Sequence, residues 1–136
     1  IDREIEKKLG IEISKIFETK GEKYFRKVEE EITLKVLQKK TCVISLGGGG
    51  FLNAAIRNEI LKNHLSFWLN WLDQTLVKRI INSNKRPIAQ NSTKNQLIDL
   101  IKKRSNFYSK ALYKIDCENC TKKQIVRKVL DIYEKQ

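Results

Sequence analysis

One stretch of this chain constrains its fold more than any other. Thr41-Cys42-Val43-Ile44-Ser45-Leu46 is short, β-branched and almost continuously apolar, and it runs directly into Gly47-Gly48-Gly49-Gly50. A brief apolar run of that kind is how a buried parallel strand reads. Before it the apolar residues recur at helical spacing instead. Ile5 and Leu9 lie four apart, and Tyr24, Val28, Ile32 and Val36 repeat every four, with Phe25 widening the stripe. A chain that switches from the helical period to a strand and then to glycines is building strand–turn–helix units.

The rest of the sequence continues that alternation. We expect helices over residues 2–9, 14–19 and 22–38, with Gly10 ending the first and Gly21 breaking the second from the third. Further helices are expected at 52–62, 73–81 with Asp73 as N-cap, 92–111 and 121–133, the last opened by the capping box Thr121-x-x-Gln124. Strands are expected at 41–46, 65–69 and 113–117. Residues 82–91 are mostly polar, hold the sole proline and read as a loop. Strands alternating with helices imply a parallel sheet covered on both faces, a three-layer α/β fold. The length of 136 residues suits a single domain over 1–136.

Composition narrows the partners. Lys and Arg number 28 against 16 Asp and Glu, a net charge of +12, which favours an anionic ligand. Nucleotide phosphates, a small carboxylate and nucleic acid all fit that bias. No helix-turn-helix, zinc or RNA-binding signature accompanies it, so we expect no nucleic-acid partner. No apolar run is long enough for a membrane span and no secretory signal is present, so a cytoplasmic protein without a membrane partner is expected. The three cysteines are an odd count, which argues against a disulfide framework. Cys117 and Cys120 form a C-x-x-C pair, but a zinc site needs two further ligands and only Cys42 and His64 remain as candidates.

Four clusters can carry chemistry. The four glycines bring backbone N–H groups to the carboxyl end of a strand, where α/β sheets bind ligands. Arg26 and Glu29, three apart on one helix face, can hold a guanidinium ready to fork onto a carboxylate. Arg79 with Lys85-Arg86-Pro87 can supply a basic lid. Arg104 stands near a helix end, just before Phe107 and Tyr108. Taken singly, the last three also read as ordinary surface ion pairs, solvated loops and helix-end cations.

Together they resemble the shikimate kinase family. The matching segments are Asp2-Arg3-Glu4-Ile5-Glu6, then Gly21-Glu22-Lys23-Tyr24-Phe25-Arg26-Lys27-Val28-Glu29. Ser45-Leu46-Gly47-Gly48-Gly49 follows, then Arg86-Pro87 and Arg104-Ser105-Asn106-Phe107-Tyr108. Order and spacing agree with the family over essentially the whole chain. The resemblance implies a P-loop kinase fold of the nucleoside monophosphate kinase type. It implies transfer of the ATP γ-phosphate to the 3-hydroxyl of shikimate, with Mg²⁺, in aromatic amino acid biosynthesis, by a monomer. Residues 1–38 would form a helical substrate-binding segment and 82–91 a lid.

The same resemblance assigns roles. Asp2 would bond the shikimate hydroxyls and orient or deprotonate the attacking one. Arg26 and Arg104 would hold the shikimate carboxylate, and Glu29 would position Arg26. Gly47, Gly48 and Gly49 would line the pocket. Arg86 would reach the ATP phosphates during transfer, and Arg79 would lie beside the adenine. The segment near Thr121 and Lys122 would close over the base.

The departures also have consequences. Nowhere does the sequence show G-x-x-x-x-G-K-[ST], the loop that cradles triphosphate and presents the magnesium hydroxyl. Residue 1 is Ile and no Met is present. We therefore expect a fragment without the first strand, P-loop and first helix, inactive as a kinase by itself. Asn106 and Phe107 stand where the family has Pro and Leu, and Ala89 where leucine is common. Two other readings share these features: a related small-molecule kinase such as a gluconate kinase, and a degenerate kinase that binds ligand without turnover.

Overall fold

The computed structural model describes residues 1–39, 41–82 and 92–136. Two compact units divide the chain, Ile1–His64 and Leu65–Gln136.

In the first unit, α1 (Asp2–Leu9) carries Asp2 and Glu4 in its first turn and Lys7 and Lys8 in its last, each complementing the helix dipole. Gly10 ends it in the left-handed region at φ 69°, its N–H donating to the Glu6 carbonyl. The Glu6 carboxylate then accepts from the Ile13 N–H at 3.1 Å, which seats the start of α2 (Ile13–Leu37). The break expected at Gly21 is present: φ 76° and ψ 170° kink α2 there. Ile5, Ile16, Phe25, Val28 and Ile32 make the core of this unit, with the Phe17 and Phe25 rings 4.6 Å apart.

The apolar stripe is rotated from the one expected. Phe25 is buried and Tyr24 is exposed. Burial of Phe25 turns Tyr24 outward, where the Lys20 ammonium lies 5.3 Å from its ring centroid. The strand expected at residues 41–46 is a larger difference. This segment is not part of any sheet among the described residues, and Val43 is fully exposed. An extended chain counts as a strand only through hydrogen bonds to a neighbour, and sequence pattern cannot show whether one lies alongside. A 3-10 turn (Gly50–Leu52) and α3 (Ala54–Asn63) follow.

In the second unit, β1 (Phe67–Asn70) and β2 (Tyr113–Asp116) pair in parallel, Phe67 opposite Tyr113 and Asn70 opposite Asp116. The Phe67 and Tyr113 rings stack at 5.4 Å. Between the strands run α4 (Asp73–Ile81) and α5 (Lys94–Tyr108). Val77 and Ile80 of α4 pack on Leu97 and Ile101 of α5. Thr93 and Thr121 each form the full capping box, opening α5 and α6 (Lys122–Tyr133). Asp73 is not the cap of α4: Leu72 holds that position, without a side-chain cap. Glu118 instead ties down the start of the helix, accepting from the Leu72 N–H at 3.1 Å and the Thr75 hydroxyl at 2.8 Å. The expected lid, with Arg86 and Pro87, falls outside the described residues save Asn82. Among the described residues no helix is long and apolar enough to cross a membrane.

Candidate active site

The glycine turn and α2 assemble one cluster in the first unit. Arg26 and Glu29 share a helix face, as their spacing implies, and the Arg26 Nη1 donates to Glu29 Oε2 at 2.5 Å. The pair is not the solvated one typical of helix surfaces, because the Glu29 side chain is only 3% exposed. Glu22, one turn before Arg26, accepts from its Nε at 3.2 Å and its Nη2 at 3.1 Å. The guanidinium is thus gripped on two sides by carboxylates, one buried and one exposed. Partial burial works against its charge, but Glu29 and then Glu22 outweigh that by hydrogen bonding and Coulombic attraction. The net effect raises its affinity for the proton above the ordinary arginine value.

These three bonds use three of the five guanidinium N–H donors. One donor on each terminal nitrogen remains for a ligand. A permanently charged, oriented guanidinium with donors in hand suits a small carboxylate.

The glycines matter here for space rather than for backbone freedom. None of the four has a positive φ. A Cβ on Gly49 would collide with the Arg26 guanidinium, 2.5 Å from Cζ and 2.7 Å from Nη2. A Cβ on Gly47 would stand 3.2 Å from Glu29 Oε1 and 3.5 Å from Asp2 Oδ1. At Gly50 it would meet only ordinary contacts. The turn therefore brings Asp2, Arg26 and Glu29 together around Gly47 and Gly49, while Gly48 is exposed beside them.

The turn is itself held. Gly50 N–H donates to the Gly47 carbonyl at 3.0 Å, and Arg57 donates to the Phe51 and Leu52 carbonyls at 3.1 and 2.9 Å. Asn53 caps α3 through the Ile56 N–H and gives its own amide to Glu30 of α2 at 2.6 Å. Asp2, in the first turn of α1, presents an exposed carboxylate on the same cluster.

The other expected residues lie in the second unit or outside the described residues. Arg104, in the third turn of α5, is half-buried, and its Nε is buried with no hydrogen-bond partner among the described residues. A buried donor without a partner costs about 1–3 kcal/mol and is ordinarily matched by a ligand or water. Arg79 of α4 is exposed, its guanidinium 4.6 Å from the Trp71 ring centroid. Arg86 falls outside the described residues.

Sequence reasoning missed Glu22. The signal was available, since Glu22 and Arg26 stand at the i,i+4 spacing of a helical ion pair. It also missed that Gly49 yields its side-chain space to the Arg26 guanidinium. No motif marks a close approach between residues 23 apart.

Comparison with known proteins gives a consistent result. A family profile described as shikimate kinase matches residues 1–134. The chain is 33% identical over 136 residues to the shikimate kinase of Thermodesulfovibrio yellowstonii, covering 99% of this chain and 79% of that protein. It is 34% identical to the shikimate kinase of Bacillus subtilis, covering 96% and 72%. Among solved structures, a shikimate kinase from Acinetobacter baumannii in complex with shikimate superposes with a TM-score of 0.90 at 28% identity, covering 98% of this chain and 76% of that one. The shikimate kinase of Aquifex aeolicus gives 0.85 at 30% identity, covering 98% and 78%.

Proposed function

We propose, given that this chain belongs to the shikimate kinase family, that the cluster around Gly49 is its shikimate site. The family comprises ATP-dependent phosphotransferases of the α/β P-loop kinase type. The observation that carries the reading is the Arg26 guanidinium, clamped between Glu29 and Glu22 against Gly49 with two donors remaining.

In this reading Arg26 takes the shikimate carboxylate. Glu29 keeps the fork from turning, so orientation is settled before the substrate arrives. Asp2, beside Glu29 at Gly47, accepts hydrogen bonds from the substrate hydroxyls and orients the one that attacks. An aspartate so placed can also receive that proton. For Arg104 the support is its position in the family motif and its unmatched Nε, and we assign it the second contact to the carboxylate. Arg79 and Arg86 belong to the nucleotide side by the same residue-by-residue correspondence.

The nucleotide and its magnesium are a different matter. Residues 1–136 do not fit a triphosphate cradle, since they carry no G-x-x-x-x-G-K-[ST]. Among the described residues no group of three His, Cys, Asp or Glu could hold a metal ion. ATP use comes to the chain through its family. We place the protein among cytoplasmic enzymes of aromatic amino acid biosynthesis, acting as a monomer on a small molecule.

Calorimetric titration with shikimate tests the site. Saturable binding at one site per chain, lost in Arg26→Ala and in Arg104→Ala with folding intact, is the expected result. Equal binding of gluconate, or no binding of shikimate by the folded chain, overturns it.

A further inference from the structure

The turn that joins β2 to α6 holds chemistry that shikimate phosphorylation does not use. Cys117 and Cys120 are its two ends, and the Cys120 N–H donates to the Cys117 carbonyl at 3.1 Å. A four-residue turn closed in this way brings its end Cα atoms within about 7 Å. Disulfides span Cα separations of roughly 4.4–6.8 Å. Asn119 takes a left-handed conformation inside the turn, φ 57°, which Asn tolerates better than most residues.

The two sulfurs have different surroundings. Cys117 is buried, and its Sγ lies 3.2 Å from the Ile115 carbonyl. Burial pushes this thiol up, and the neighbouring Cys120 sulfur adds to that. Cys120 is half-exposed, and the Lys128 ammonium donates to its Sγ at 3.3 Å. Lys128 is held in place by a second bond, to the Asp116 carbonyl at 2.8 Å. It reaches back from α6, two turns after Cys120, so the helix itself aims the charge. A cation fixed against an accessible sulfur marks a reactive cysteine, and a second cysteine within disulfide reach of it can resolve the oxidised sulfur. Cys42 offers the contrast within the same chain: it is exposed, but among the described residues its sulfur meets only the Lys39 carbonyl, at 3.8 Å.

We propose that Cys120 and Cys117 are a peroxide-sensitive dithiol, Cys120 reacting first under the Lys128 ammonium and Cys117 closing a disulfide across the turn. The first step breaks the O–O bond of a hydroperoxide. The Cys120 sulfur takes one oxygen to become a sulfenic acid, and the other leaves as water or alcohol with the thiol proton. In the second, the Cys117 sulfur attacks the Cys120 sulfur, the S–S bond forms and the hydroxyl leaves as water with the Cys117 proton. Reduction by an external dithiol restores both thiols.

Trypsin cleavage after Lys114 and Lys122 places both cysteines in one peptide, residues 115–122, apart from Cys42. The folded chain is treated with graded hydrogen peroxide, blocked with an alkylating agent and digested. We expect that peptide to lose two hydrogens before Cys42 is modified. Cys117→Ala is expected to stop at a sulfenic acid on Cys120, trapped by dimedone, and Lys128→Gln to slow the reaction several-fold. Cys117→Ser serves if the alanine variant does not fold. Oxidation of Cys42 ahead of Cys120, over-oxidised Cys120 without disulfide in the unaltered chain, or an unchanged rate in Lys128→Gln each overturn the proposal.

Discussion

Gly49 leaves room for the Arg26 guanidinium: a Cβ at Gly49 would stand 2.5 Å from Arg26 Cζ. The glycine is therefore part of how the arginine is aimed. Gly49→Ala is expected to swing the guanidinium away from Glu29. With a charge-assisted bond worth about 1.5–3 kcal/mol, shikimate affinity should fall by about one to two orders of magnitude. Calorimetric titration beside thermal melting checks this, since the affinity loss should exceed what the melting shift alone explains.

The two carboxylates on Arg26 are not equivalent. Glu29 is buried and Glu22 is exposed. Glu29→Gln leaves a partly buried guanidinium without its closest counter-charge and should cost roughly 1–3 kcal/mol of stability. Glu22→Gln removes a screened surface pair and should cost about 0–1 kcal/mol. Denaturant unfolding of both variants, side by side, decides whether burial sets the ranking.

Gly21 has a different role from the glycines of the turn. Its φ of 76° and ψ of 170° lie where only glycine is comfortable, although open space surrounds the missing Cβ. Gly21→Ala should destabilise the first unit by roughly 1–3 kcal/mol through backbone strain alone. Gly10→Ala, at φ 69° with equally open space, provides a second measure in the milder left-handed region. Urea unfolding midpoints for the two substitutions should fall in that order of severity.

Asp116 links a small part of the second unit's stability to pH. Its carboxyl is held below the usual carboxylate range, first by the hydrogen bond from Asn70 and then by Lys114. A depressed carboxylate stabilises the fold while ionised. Its contribution is complete above the ordinary range and is lost as pH falls through the folded value. Asp116→Asn should therefore lower the melting temperature near neutrality, and the gap to the unaltered chain should close on acidification. A gap that stays constant down the acid limb would refute the assignment.

What the sequence disclosed and what it withheld divide by distance along the chain. Gly10, Gly21 and Thr121 ended, broke or opened helices where their local chemistry said they would. The Arg26–Glu29 pair followed from helical spacing. Apart from Tyr24 and Glu22, which a closer look at the helix face would have placed, the residues misread depend on distant partners. Residues 41–46 have strand composition, but strand identity requires a neighbour, and none is present among the described residues. Asp73 has the chemistry of a cap, yet the cap position falls to Leu72, whose N–H is held by Glu118 from 46 residues away. The burial of Glu29, which turns a commonplace ion pair into an anchor, depends on how α2 packs and is not written in its spacing.

That reach of Glu118 gives the second unit an order of assembly. While the chain is being made, the opening turn of α4 emerges with its donors facing water. The carboxylate that accepts from the Leu72 N–H and the Thr75 hydroxyl arrives only after α5 and β2 have been synthesised. Helix α4 can form early by its own propensity, but its first turn is finished last. The unit should accordingly show a late step in refolding, visible as delayed amide protection at Leu72 and absent when Glu118 is replaced by glutamine.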